Sequence, residues 1–178
     1  MKILLSAAAF VFSVGASAQW TVVNLHPAGA THSSAHGAGD GQQVGAARLG
    51  GDYHAGFWSG TAQSWVDLTP VGISNASATD AHGGQQVGYY TSGIGNSRAC
   101  LWSGTAGSFV DLHPLGATVS LAHGVHAGKQ VGFDDLVGHF HAVLWSGSAA
   151  SRVDLHPAGA YLSRASVCLA LSKSAPLS

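Results

Sequence analysis

The string GHFHA sets His139 and His141 two residues apart, and HGVH sets His123 and His126 three apart. Residues i and i+2 of a strand share a face, so His139 and His141 can offer two neutral imidazoles to Zn2+ or Cu2+. His123 and His126 fall in the turn region before GKQVG. No third ligand stands in register, no HExxH or cysteine pair accompanies them, and equivalent positions elsewhere hold Thr79 and Gly39. These four histidines are candidate metal ligands whose spacing permits a site without requiring one; paired histidines on an exposed strand are the commoner case.

A second pattern, Asp-Leu-x-Pro, places Asp67, Asp111 and Asp154 just before a turn, with His113 and His156 beside the proline. An aspartate there accepts backbone N–H groups and fixes the corner. A catalytic aspartate has no need of copies, and Asn24 in a further copy can make the same bond, so a structural role is expected. Asp134 and Asp135 stand in one place only and would point to opposite faces of a strand. With no glutamate in the chain, a glycosidase would need two aspartates. No nucleophile elbow, P-loop or dinucleotide fingerprint is present. No catalytic residue and no cofactor is expected. Cys100 and Cys168 do not make a disulfide framework; Cys100 fills a slot held elsewhere by Gly56 and Val143, as a small buried apolar side chain would.

What positions these residues is a repeat. VNLHPAGA begins at Val23, VDLTPVGI at Val66, VDLHPLGA at Val110 and VDLHPAGA at Val153, in steps of 43, 44 and 43. GQQVG at Gly41 and Gly84 and GKQVG at Gly128 keep the same step, as do HAGFW, RACLW and HAVLW, each followed by a Ser-Gly turn. The phrases read as short strands near residues 42–44, 54–58 and 64–68 and their copies, the last ended by a proline that cannot donate to a ladder. The Ser/Ala/His/Gly stretch before GQQVG has room for a fourth, weaker strand. Four strands in about 43 residues predict an all-β, propeller-like repeat protein of about three and a half blades. Trp58, Trp102 and Trp145 recur once per unit and are expected in the core between blades. A right-handed β-solenoid is the alternative, although its coils are usually shorter.

The succession G-x-Q-V-G, His-Ala-x-Leu-Trp and Asp-Leu resembles the HAF-type extracellular repeats of secreted bacterial proteins. HAGFW and HAVLW carry the likeness best, and Arg98-Ala99-Cys100 departs from it. The resemblance runs from Trp20 to about Ala165. It implies an exported, propeller-like protein and brings no established reaction or catalytic residue.

The start, a basic Lys2, an apolar run over residues 3–14 and the small-residue site Ala16-Ser17-Ala18, has the layout of a cleaved signal peptide at residues 1–18. The repeat domain then covers 19–165, secreted, periplasmic or at the cell surface, with no membrane span after cleavage. The six Lys/Arg and eight Asp of residues 19–178 give no basic surface for nucleic acid. The repeat fails from Ser166, and residues 166–178 form an aberrant tail. Read one base out of frame, codons permitted for residues 166–175 can spell Gly-Val-Ser-Gly-Thr-Gln-Gln-Val-Gly, the phrase expected one step after Gly124; a frameshift is the expectation. An incomplete ring would leave open sheet edges and invite edge-to-edge self-association. Two functions remain: a structural or binding module for a protein or surface polymer, or a fragment of a propeller hydrolase or lyase acting on polysaccharide.

Overall fold

The computed structural model describes residues 21–92, 95–136 and 138–166; the signal-like segment, Cys168 and the tail from 167 onward lie outside the described residues. The chain is all-β. Three successive units each make a four-stranded antiparallel meander: β1 (His32–Gly39), β2 (Gln42–Leu49), β3 (Asp52–Trp58) and β4 (Val66–Asp67); β5 (Asn75–His82), β6 (Gln85–Ser92), β7 (Asn96–Trp102) and β8 (Val110–Asp111); β9 (Ser120–His126), β10 (Lys129–Asp134), β11 (His141–Trp145) and β12 (Val153–Asp154). A parallel bridge at Tyr53 and Asn75 joins the first two meanders into an eight-stranded sheet, and the third is a sheet of four. The other pairings are antiparallel within a unit, unlike the parallel stacking of solenoid coils.

Three expectations need correction. The stretch before GQQVG is no weak strand: β1 and β5 run eight residues each. The strand expected over 64–68 shrinks to Val66–Asp67, because Ala62–Ser64 closes a 3-10 turn. There Ser64 Oγ accepts the Ser59 N–H at 2.7 Å, a bond that Ser108 and Ser151 repeat for Ser103 and Ser146. The first VxLxP copy, at Val23, forms no strand; the later copies each pair with the HAxLW-type phrase before them, and the sequence before Val23 contains no such phrase.

Each first strand carries a β-bulge. The register skips His36 in β1, Thr79 in β5 and His123 in β9. Opposite each bulge stands the last glycine of the QVG phrase. A Cβ on Gly45, Gly88 or Gly132 would collide with the carbonyl oxygen of Ser34, Ser77 or Leu121. That close approach of backbones is why the phrase ends in glycine.

The core lies between units. Val44, Ala55, Phe57 and Leu68 of the first meet Ala76, Ala78, Ala81, Cys100 and Trp102 of the second. Val87, Ala99, Leu101 and Leu112 of the second meet Ala122, Val125, Val143 and Trp145 of the third. Trp58, Trp102 and Trp145 are all buried. Each such ring removes about 150–250 Å2 from water, a gross gain on the order of 4 kcal/mol or more. Burial pushes the Cys100 thiol well up, with a further push from Asp111.

Candidate functional site

The second glutamine of each QVG phrase bolts its own unit. Oε1 of Gln43, Gln86 and Gln130 accepts the N–H of Gly60, Gly104 and Gly147 in the Trp-Ser-Gly turns, at 2.8–2.9 Å. The first glutamine reaches the next unit: Gln86 Nε2 donates to Gln42 Oε1 at 2.8 Å and Gln130 Nε2 to Gln85 Oε1 at 3.4 Å. In the third unit Lys129 takes that place and bonds Ser146 Oγ.

The Asp-Leu-x-Pro aspartates form a second fixture. Oδ1 of Asp67, Asp111 and Asp154 accepts the N–H two residues on, as Asn24 does for His26. The other oxygen crosses to β3 or its equivalent: Asp67 Oδ2 lies 2.7 Å from His54 Nδ1, and Asp154 Oδ2 lies 2.8 Å from His141 Nδ1. Where Arg98 replaces the histidine, the Tyr90 hydroxyl donates to Asp111 Oδ2 instead.

The histidines beside proline close a third. Nδ1 of His26, His113 and His156 lies 2.7–2.8 Å from Oγ of Ser33, Ser120 and Ser163, and Nε2 lies 2.9 Å from a carbonyl of Ala30, Ala117 or Ala160. A carbonyl only accepts, so Nε2 carries the hydrogen and Nδ1 receives the serine hydroxyl. Ser120 and Ser163 in turn accept the N–H of Ala99 and Ala142.

The four candidate metal ligands do not converge. β11 begins at His141, so His139 precedes the strand and the two do not share a strand face. His139 packs on Tyr161, while His141 stacks on His156 at 3.7 Å beside Asp154. His126 stacks on His82, and His123 lies against Phe133. Among the described residues no three His, Cys, Asp or Glu side chains are grouped to hold a metal ion.

The adjacent aspartates are both engaged. Asp134 is fully buried and takes Nε and Nη2 of Arg152 at 2.5 and 2.9 Å. This bond, ahead of the opposing effect of burial, raises the guanidinium pKa. Asp135 accepts the N–H of Thr118 and Val119 and the Thr118 hydroxyl. Burial alone would raise its carboxyl, but these bonds hold it below its ordinary value.

No family model matches the chain, and comparisons with curated proteins and with solved structures returned no match. The site therefore rests on its own geometry.

The bulges supply that geometry. His36, Thr79 and His123 line one cavity of about 360 Å3 with Gly37, Asp80 and Ser166. Positions 36, 79, 123 and 166 are successive copies of one repeat position. A bulge residue stands outside the ladder and can be aimed. His36 Nδ1 meets the Ala78 carbonyl at 3.1 Å, and the Thr79 hydroxyl donates to the Ala122 carbonyl at 2.8 Å, each bolting a unit to its successor. Asp80 Oδ2 accepts the Val125 N–H. Burial, then Arg164, lowers the His123 pKa and favours its neutral form. Sequence reasoning singled out His123 only as a candidate metal ligand, with Thr79 as an equivalent position, and missed both the bulges and the role of the glutamines. The glutamines were visible as repeated polar residues beside the QVG glycine; the bulges left no such mark, since threonine stands between the two histidines and a skipped ladder position has no residue type of its own.

Proposed function

We propose that the protein is an exported, propeller-like repeat module with a structural or binding role. The observation that carries this reading is that the recurring aspartates and histidines are bonded, copy after copy, to the fold itself. A catalytic group must keep its acid, base or nucleophile available to substrate; Asp67, Asp111, Asp154, His113 and His156 all hold turns. A propeller-like arrangement is supported by the cavity, which collects one repeat position from each unit and from the start of a fourth. Export is supported by the composition of residues 1–18 and by the likeness to HAF-type repeats.

The bulge cavity is where a ligand would be held, because His36, Thr79 and His123 stand outside the strand ladder and face one cavity together. Its lining of imidazole, hydroxyl and carboxylate suits a polyhydroxylated chain such as a surface polysaccharide. Titrating isotope-labelled protein with soluble polysaccharide should shift the amide signals of His36, Thr79 and His123 without releasing reducing ends. Release of reducing ends would favour a hydrolase or lyase, and unmoved signals across a polysaccharide panel would remove the cavity from the reading. Cell fractionation with N-terminal sequencing tests export; the expected first residue is Gln19, and an intact Met1 in the cytoplasm refutes it.

A further inference from the structure

The first unit presents a face that its two copies bury. In β5, Ala76, Ala78 and Ala81 are at most 4% exposed, and in β9 Ser120, Ala122 and Val125 at most 2%. Their equivalents in β1, Ser33, Ala35 and Ala38, are all exposed. At the other end, Leu68 and Leu112 are fully buried under the following unit, whereas the equivalent Leu155 is 45% exposed and Val153 is exposed beside it. Among the described residues, the first and third units thus present the two halves of an interface that is built twice between units.

We propose that these halves meet between molecules, the third unit of one copy seating the first unit of a second in a head-to-tail contact. The interfaces between units one and two and between two and three show what covers each half. Val131, Ala142, Leu144 and Leu155 repeat the set Val44, Ala55, Phe57 and Leu68, and Ser33, Ala35 and Ala38 of the second copy repeat what lies against that set. Residues 163–166 now occupy the place that residues 33–36 of the second copy need. Ser163 accepts the Ala142 N–H and meets His156, and the Ala165 N–H donates to the Gly132 carbonyl. The arriving Ser33 carries the same hydroxyl one whole repeat set away, so the exchange replaces serine by serine. The contact joins two different faces, so it continues into open chains unless its rotation closes a ring.

The test is sedimentation of the purified protein over a range of concentrations. The expected result is association that grows with concentration and is lost in Ala38→Arg and in Leu155→Lys, both of which change exposed positions and leave the circular dichroism of the monomer unaltered. Each variant keeps one intact half, so mixing the two should restore one-to-one heterodimers that grow no further. Stopping the chain after Leu162 removes the competing segment and should increase association. A monomer at every concentration, association that survives Ala38→Arg, or a mixture of the two variants that stays monomeric would overturn the proposal.

Discussion

The Thr69 hydroxyl accepts the Ala55 N–H at 2.8 Å, the bond that Ser120 makes to Ala99 and Ser163 to Ala142. In the second repeat copy, threonine replaces the histidine beside proline and Ala76 replaces the serine. One short side chain thus does what a histidine and a serine do together elsewhere. The two solutions differ in chemistry and agree in the atom they satisfy, so the buried N–H is what constrains both positions.

Ser120→Ala should therefore cost about 1–3 kcal/mol, the penalty for leaving the Ala99 N–H unpaired. Adding His113→Thr, which copies the Thr69 and Ala76 pair, should recover most of it. Urea unfolding of the single and double variants measures both, and a double variant no better than the single one refutes the account.

Asp134 and Arg152 occupy the places of Tyr90 and Phe109, whose rings meet edge to face at 5.2 Å. Asp134→Ala leaves the Arg152 guanidinium with Asp154, 3.5 Å away, as its remaining carboxylate, and should destabilise by about 3 kcal/mol, the low end for breaking a buried pair. Asp134→Tyr with Arg152→Phe should restore most of that stability, with Asp154 available to the new hydroxyl as Asp111 is to Tyr90. Thermal unfolding of the two variants decides it.

Gly88→Ala puts a methyl group into the Ser77 carbonyl, and backbone on both sides leaves nothing soft to move. The bulge must open or the strands part, with a loss of about 1–3 kcal/mol or more. Amide exchange localised to β5 and β6 is the expected signature; protection equal to that of the parent protein would contradict it.

Acid should loosen the third unit. Burial by itself would raise the Asp154 carboxyl, but hydrogen bonds from His141 and the His156 N–H outweigh it and hold the pKa below its ordinary value. A depressed carboxyl contributes stability that is complete above the unfolded value of about 3.9 and is lost as pH falls through the folded one. Asp135 acts in the same direction. The urea midpoint should decline modestly as pH falls below about 6.5, where the unfolded chain protonates His123 more readily than the folded one, and should fall further below about pH 4; Asp154→Asn, which can keep the turn as Asn24 does, should show a smaller fall in the lower window alone.

The repeat and its strand order were legible because turn residues and alternation recur at one step, and the tryptophans marked the layer between units. The aspartate turns could be read from Asn24 alone, since an amide and a carboxylate share only their acceptor. The histidines misled, because i and i+2 spacing implies a common face only inside a strand, and the chain bends at His139. The length of β4 could not be read either: its ladder ends where Ser64 turns back on Thr61, a contact set by a hydroxyl that looked like turn punctuation. The bulges stayed hidden because sequence records which residues stand in a strand and not which one its partner skips.

That skipped position has a consequence for protein engineering. Randomising residues 36, 79 and 123 alters the wall of the cavity while every ladder partner keeps its neighbour, so a library built there varies recognition without re-threading the strands. The usable alphabet is narrowed at 36 and 79 by the carbonyls of Ala78 and Ala122, which demand a hydrogen-bond donor, and is widest at 123. Selection from such a library should retain histidine, threonine, serine, asparagine and their like at the first two positions and tolerate apolar residues at the third.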